Sequence, residues 1–194
     1  AVGYDALTAN TEGKWNTAMG AYALRAATTE PNLTAVGFGA AQSNTSGSGT
    51  VALGFNALTT NTTGDYNTAL GMYALRYNLT GANNTATGYK ALTANTTGTR
   101  NLAIGFGAYD AADTENDNLA IGYDALGGSI NGGEYNIAIG NYSLDANTTG
   151  DYNVGVGYQT LTSNTTAGYN TAVGFNALSA NTTGTNTAVG YSAL

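Results

Sequence analysis

One 17-residue repeat runs through the whole chain and constrains its fold more than any other feature. Alignment on the Gly of an Ala-Val-Gly-Tyr motif gives twelve copies, spaced by 17 residues apart from one spacing of 18 and one of 16. The aligned glycines are Gly3, Gly20, Gly37, Gly54, Gly71, Gly88, Gly105, Gly122, Gly140, Gly157, Gly174 and Gly190. Fixed periods of this length are typical of solenoids. Because the chain begins and ends inside the motif, residues 1–194 are predicted to be a single repeat array, truncated at both ends and without a separate domain.

The composition excludes many kinds of chemistry. Ala, Gly, Thr and Asn occupy 117 of 194 positions, while Cys and His are absent. A Ser-His-Asp triad, a thiol nucleophile, a disulfide frame and a zinc site built on thiolate or imidazole are therefore impossible. We expect no enzyme activity and no cofactor, and we assign no catalytic, cofactor-binding or metal-ligating residue.

The charges are few and unevenly distributed. Five basic residues stand against twelve acidic ones, which disfavours a nucleic-acid partner. Apolar stretches are too short for a segment that crosses a membrane. Residues 1–100 hold all five basic residues and four acids, whereas residues 101–194 hold eight acids. This asymmetry indicates either drift in exposed turns or orientation toward a cationic partner.

Each unit predicts a short strand just before its conserved glycine. The preceding residue is apolar in nearly every copy, and the residue two positions earlier is mostly β-branched, which predicts that these two face the core. The first set is Met19, Val36, Leu53, Leu70, Ile104, Ile121, Ile139, Val156, Val173 and Val189; the second is Thr17, Thr34, Val51, Thr68, Leu102, Leu119, Ile137 and Val154. Asn and Ala would then form a small opposite face, open to close approach.

The rest of the unit predicts a second strand and a turn. A Leu four residues after the glycine is expected to add a core residue from a second short strand, and one aromatic ring per coil is expected to pack beside the core. Asn-Thr-Thr-Gly, as in 61–64, supplies turn residues. The prediction is an all-β fold, a parallel β-solenoid of about eleven coils. A left-handed hexapeptide helix is second choice, because each coil shows one apolar cluster rather than three equivalent sextets.

The thinness of the predicted core indicates self-association. Each coil offers only about three apolar side chains, so packing against identical neighbours would add burial at every level. We therefore expect a homotrimer around the rod axis. Open solenoid ends also allow end-to-end growth into a filament.

Recurring pieces resemble a known family along the whole chain. The segments 34–38, 102–106 and 119–123, such as Leu-Ala-Ile-Gly-Phe, look like the Ser-Val-Ala-Ile-Gly repeats of YadA-like heads in trimeric autotransporter adhesins. They also resemble Asn-Thr-Ala-x-Gly-x-x-Ala-Leu repeats of bacterial and phage fibre proteins. The resemblance implies a left-handed, trimeric β-roll at the cell surface that binds host matrix or other cells. The family's unit is about fourteen residues long, so the extra turn here is a departure, and no binding residue is carried over.

Three features are candidate sites. Ten Asn-x-Ser/Thr sequons could accept glycans, although the repeated turn generates most of them: Asn32, Asn44, Asn61, Asn78, Asn83, Asn95, Asn141, Asn147, Asn164 and Asn181. Four acids, Asp110, Asp113, Glu115 and Asp117, replace the usual turn and could chelate a hard cation, but they lack the spacing of a calcium loop. Trp15 and the 14 Tyr could stack on sugars, although packing is the favoured role.

The expected function is that of a non-catalytic structural shaft or head of an extracellular, surface-displayed adhesive fibre, whose partners are itself and a host surface, matrix or glycan. A phage tail-fibre shaft is the alternative. An ice-binding β-solenoid is a further alternative, suggested by stacked Thr such as Thr17, Thr34 and Thr68 and weakened by their predicted place on the core face. An exposed, flat Thr array would favour it.

Overall fold

A computed structural model describes residues 1–128 and 131–194, and the described residues form one parallel β-solenoid. Eleven three-residue strands make a single sheet in chain order. They are β1 Thr17–Met19, β2 Thr34–Val36, β3 Val51–Leu53, β4 Thr68–Leu70, β5 Thr85–Thr87, β6 Leu102–Ile104, β7 Leu119–Ile121, β8 Ile137–Ile139, β9 Val154–Val156, β10 Thr171–Val173 and β11 Thr187–Val189. The predicted all-β parallel solenoid of about eleven coils is confirmed.

The repeat sets the register of the sheet. Equivalent residues of successive units pair side by side, as in Ala103 with Ala120, so each coil advances the chain by one strand spacing. The extra residue of the 18-residue unit is taken up between β7 and β8, whose in-register pairing is unchanged. The part of the chain that the structure describes has no helix long and apolar enough to span a bilayer.

The predicted orientation of the strands is wrong. In every strand the central residue, Ala or Gly155, is buried, and the two flanking residues point outward and are half-buried or exposed. The reason is the narrow interior of a 17-residue coil. At Gly155 an added Cβ would lie 2.5 Å from Ser143 Oγ and 2.7 Å from Thr160 Oγ1, so where Ser143 and Thr160 replace the Ala of the other coils, not even Ala fits in the strand.

The second strand is also absent from the described coils, although its Leu does belong to the core. Leu58, Leu75 and Leu92 are fully buried, but each has a φ near +50°, which is incompatible with a strand. The buried apolar core is therefore built from Ala and from Leu held in a turn. Three positions per coil adopt this left-handed conformation, most of them without glycine.

The conserved glycine is required by close stacking of the coils. All twelve have φ between +129° and +141°. At Gly105 an added Cβ would lie 2.2 Å from the carbonyl oxygen of Gly122, a distance that no side chain tolerates. The backbone of each coil thus sits directly on the next one at this point.

Candidate functional surfaces

Two ladders of buried Asn run through the interior. The turn ladder comprises Asn44, Asn61, Asn78, Asn95, Asn147, Asn164 and Asn181; the strand ladder comprises Asn16, Asn67, Asn84, Asn101, Asn118, Asn136, Asn153, Asn170 and Asn186. Most of these side chains are fully buried. Because a buried amide without partners is costly, their hydrogen bonds decide whether the fold is stable.

Each ladder joins a coil to its neighbours. In the turn ladder, Asn61 Nδ2 donates to Asn44 Oδ1 at 2.6 Å and to Gly64 O in its own turn at 3.0 Å. In the strand ladder, Asn67 Oδ1 accepts from the backbone N–H of Asn84 at 3.0 Å, and Asn67 Nδ2 donates to Gly81 O at 2.7 Å. The strand-ladder Asn, which the sequence predicted on an open face, is therefore buried and joins neighbouring coils by hydrogen bonds.

The ladders bear directly on the ten sequons. Six sequon asparagines are turn-ladder members with no exposed surface: Asn44, Asn61, Asn78, Asn95, Asn147 and Asn164. Asn181 is half-buried, and Asn32, Asn83 and Asn141 are exposed. In the folded chain, only these last three could accept a glycan without disturbing the core.

The outward face of the sheet is a largely apolar surface. Its two rows are the residues that flank the buried Ala, including Leu102 and Ile104 of β6 and Ile137 and Ile139 of β8. From β6 to β9 both rows are entirely aliphatic, whereas Thr occupies the first row in β1, β2, β4, β5, β10 and β11. We call this surface the strand face.

The aromatic rings form a continuous ladder beside the strand face. Twelve rings contact each other with centroids 5.0–6.1 Å apart: Tyr4, Tyr22, Phe38, Phe55, Tyr73, Tyr89, Phe106, Tyr123, Tyr142, Tyr158, Phe175 and Tyr191. Edge-to-face pairs occur wherever one partner is Tyr22, Tyr73 or Tyr142, which stand one residue later in the unit than the other rings. The rings therefore pack against one another on the outside of the coils rather than against the buried core, and stacking on sugars stays a prediction.

A second, shorter stack lies at the residue before the strand ladder. Tyr135, Tyr152 and Tyr169 are nearly parallel, with centroids 4.9 and 5.0 Å apart. The equivalent position in the first coil holds Trp15, whose side chain is 78% exposed. Exposure does not separate this stack from the continuous ladder, since Tyr135 and Tyr152 are 45% and 46% exposed and Phe106 is 50% exposed.

The acidic turn does not gather its carboxylates at one point. Glu115 Oε2 accepts from the backbone N–H groups of Asp113 and Thr114, both at 3.0 Å. Asp117 forms a bidentate pair with Arg100, at 2.6 and 2.7 Å, and this hydrogen bonding holds the pKa of the Asp117 carboxyl below its ordinary value. Within residues 1–128 and 131–194, no three His, Cys, Asp or Glu side chains form a cluster that could hold a metal ion.

An open groove of about 560 Å³ crosses the surface near this turn. Tyr77 and Leu79 stand at one end, and Ala94 and Thr96 line it further on. The carboxylate in its lining, Asp113, accepts a hydrogen bond from the Thr96 hydroxyl. Comparison with protein-family models, with curated proteins and with solved structures gives no match.

Proposed function

We propose that this chain is a non-catalytic structural segment, the shaft or head of an extracellular adhesive fibre, and that it assembles as a homotrimer through the strand face. The observation that carries the proposal is the outward aliphatic surface from β6 to β9. Ile104 is 37% exposed and its neighbours Leu119 and Ile121 are half-buried. A contiguous apolar patch of this kind marks an interaction surface.

A three-fold arrangement fits the shape of this surface. The strand face runs along all eleven strands and repeats at every coil, so identical copies can bury it at every level. Burial of its aliphatic rows would add the apolar area that the Ala-rich interior lacks. The resemblance of the repeat to YadA-like heads supports the same assembly.

The interior suits a mechanical role. Hydrogen-bonded Asn ladders, in-register strands and stacked rings tie each coil to the next, which makes bending or local opening costly. Sequence differences between coils concentrate in the exposed turns, where charge and length vary. We propose that any recognition of a host surface, matrix or glycan uses these turns or further parts of the fibre outside this segment.

The test is the mass of the soluble segment by light scattering, with negative-stain images of the same sample. A trimer has a mass of about 58 kDa, three times the 19.5 kDa of one chain, and forms thin rods. Ile121→Lys with Ile139→Lys, both on the strand face, should give folded 19.5 kDa chains. The control, Thr63→Lys on an exposed turn, should stay trimeric. A wild-type mass of one chain at all concentrations would overturn the trimer, and growth with concentration would support end-to-end filaments.

Ice binding is the second candidate, and one observation favours it. Thr17, Thr34, Thr68 and Thr85 lie on the outward strand face and not in the core, so the argument against an exposed Thr array no longer holds. The aliphatic residues of β6–β9 interrupt the array. Thermal hysteresis measured on the single-chain lysine variant and on the wild type decides between the two functions. Thermal hysteresis in the wild type that is lost with Thr68→Lys supports ice binding. If the wild type shows no thermal hysteresis, the fibre proposal stands alone.

A further inference from the structure

A charged ridge follows one corner of the rod, outside the strand face. It is formed by the side chains at the second and fifth positions after each conserved glycine, and we call it the corner ridge. The two positions are adjacent in space. Asp124 Oδ1 and Asp110 Oδ2 lie 2.3 and 3.9 Å from the point where a Cβ on Gly107 would sit.

Charges on the corner ridge are sorted by sign around its middle. Lys90 and Arg76 occupy the coils of Gly88 and Gly71, and Asp110 and Asp124 occupy the coils of Gly105 and Gly122. Asp145 follows in the coil of Gly140. At the first coils, Asp5 and Arg25 have opposite signs and balance each other. The basic and acidic groups are thus placed symmetrically about the boundary between the coils of Gly88 and Gly105.

The basic groups on the ridge are positioned by aromatic rings and not by carboxylates. Arg76 Cζ lies 4.7 Å from the Tyr73 ring centroid and 4.9 Å from that of Tyr77, and Lys90 Nζ lies 5.5 Å from that of Tyr89. Among the described residues, the ion pair within 4 Å is Arg100–Asp117, which lies off the ridge. Stacking on the rings holds these cations in place, so a partner that binds them loses less side-chain entropy.

The acidic groups repel one another. Burial and the nearby charge of Asp124 raise the pKa values of Asp110 and of Asp145, and burial raises the pKa of Asp124 itself. Phe106, which is 50% exposed, and Tyr123, which is 41% exposed, lie in the aromatic ladder of the same coils. The nearby charge of Lys90 acts on Asp110 in the opposite sense, but no carboxylate of the acidic half forms an ion pair within 4 Å among the described residues. The acidic half of the ridge therefore combines negative charge without a direct ion-pair partner with exposed ring surface.

We propose that the corner ridge binds a second copy of the chain side by side in antiparallel orientation. A two-fold axis between the coils of Gly88 and Gly105 brings Lys90 beside Asp110 of the second copy, and Arg76 beside Asp124 of the second copy. The symmetry repeats both contacts, which gives four ion pairs flanked by ring edges. A parallel, in-register copy would instead oppose like charges. This contact goes beyond the proposed fibre, since it joins whole shafts laterally and does not use the strand face.

The first experiment is the mass of the wild-type protein by light scattering at two ionic strengths. Exposed ion pairs are screened by salt, so the mass at about 0.05 M salt should be at least twice the mass at about 0.5 M. A single chain carries one ridge and should double its mass, whereas a trimer carries three ridges and can bind more than one neighbour. If the trimer does not form, the mass at high salt is that of one chain. If the corner ridge does not bind a second copy, the mass does not rise at low salt.

Charge exchange tests whether the ridge charges form the contact. Arg76→Asp with Lys90→Asp, and Asp110→Arg with Asp124→Lys, use residues that the same repeat positions carry in other coils, so both variants should fold. Each alone should associate at least tenfold more weakly than wild type, and an equimolar mixture should recover the low-salt mass of wild type. The control, Lys14→Asp with Thr63→Asp and Thr149→Asp, makes the same change in net charge as the first pair at exposed positions off the ridge and should behave as wild type. Folded variants whose mixture does not associate would overturn the proposal.

Orientation is tested by energy transfer, because a chain without cysteine accepts single labels cleanly. Gln42→Cys labelled with a donor and Thr162→Cys labelled with an acceptor should lie close together in the antiparallel pair. In a parallel pair they would be seven coils apart, about 34 Å along the rod. Donor-labelled and acceptor-labelled proteins are assembled separately and then mixed at low salt, with a short-range dye pair, so that transfer reports only the contact between assemblies. Efficient transfer between proteins that both carry the label at position 42 would overturn the antiparallel arrangement.

Discussion

The turn at Asn61–Gly64 and the turn at Ala112–Glu115 provide hydrogen-bond partners for their main-chain groups in different ways. In the first, Asn61 donates from inside the coil to Gly64 O, and the N–H groups of Thr62 and Thr63 donate to Leu79 O of the next coil. In the second, the inner amide is missing, and the Glu115 carboxylate accepts from the N–H groups of Asp113 and Thr114. Each turn has its own source of polar partners for the main chain.

The comparison shows that replacements in this solenoid are coupled. Where Ala replaces the ladder Asn, Glu replaces the turn Gly, both at Ala112–Glu115 and at Ala27–Glu30. At Gly64 an added Cβ would lie 2.6 Å from Asn61 Oδ1, so this position is crowded beside a ladder Asn, and the one side chain found beside such an Asn among the described coils is the small Ala167 beside Asn164. The break in the ladder has a cost, because Asn95 Oδ1 is buried without a hydrogen-bond partner where Ala112 follows it.

The largest effect is expected at a position that both kinds of coil share. Gly105→Ala should destabilise the fold by about 4 kcal/mol or more, because its Cβ would meet Gly122 O at 2.2 Å and its φ is +141°. Gly132→Ala is the control, with φ +109° but nothing within 4 Å of the added Cβ, and should cost about 1–3 kcal/mol. Urea unfolding measures the free energy of unfolding of both variants. Equal losses would show that the left-handed backbone conformation, and not the close stacking of the coils, causes the destabilisation.

The next effect tests the regular turns. Asn78→Ala should cost about 2–4 kcal/mol, because it removes bonds to Asn61 Oδ1 and Gly81 O and leaves buried groups unpaired. Asn83→Gly removes an exposed amide where φ is +60° and should change the free energy of unfolding by less than about 0.5 kcal/mol. Similar losses for the two substitutions would contradict a special role for the ladder.

The replaced turns predict a dependence on pH. Burial alone would raise the pKa of Glu30, but hydrogen bonds from Thr29 Oγ1 and nearby backbone N–H groups outweigh it and lower the pKa. The stability that the carboxylate provides is therefore present above its unfolded pKa, near 4.5, and is lost as the pH falls through the folded pKa. Glu30→Gln should cost about 1–2 kcal/mol at pH 7, and the cost should shrink as the pH falls through the folded pKa.

Wild type and Glu30→Gln are compared by thermal unfolding across this range. The comparison cancels the contribution of Asp110, Asp124 and Asp145, whose raised pKa values act in the opposite sense. The stability that those three groups provide is full below their unfolded pKa and is lost as the pH rises through the folded pKa. A difference between the two proteins that does not shrink with acid would refute the role of the Glu30 charge.

The smallest effect concerns the left-handed positions. Gln159 has φ +52°, and the same position holds Asn in the coils of Gly54 and Gly174. Asn tolerates this conformation better than Gln, so Gln159→Asn should raise the free energy of unfolding by about 0.5 kcal/mol. The same change at Gln42, which is not left-handed, should give no gain. A gain at both sites would show that the substitution acts on the unfolded chain and not on the left-handed conformation.

Much of the fold followed from spacing alone. The distance between successive glycines predicted the solenoid, the number of coils and the in-register pairing, because any other register would misplace every glycine. The buried Leu was also predicted. The direction of the strand was not, because in a three-residue strand such as Thr-Ala-Val the larger side chains are expected inside.

The sequence by itself determined the period, the parallel stacking and the exclusion of most catalytic chemistry, because these depend on residue type and interval. Only the tertiary structure decided which face is the core. The interior of a 17-residue coil is so narrow that Ala, Leu and hydrogen-bonded Asn fill it, and Val and Ile are left outside. Likewise, only the coiling of the chain places Lys90 and Asp110, twenty residues apart, on one ridge with opposite signs on either side of a single boundary.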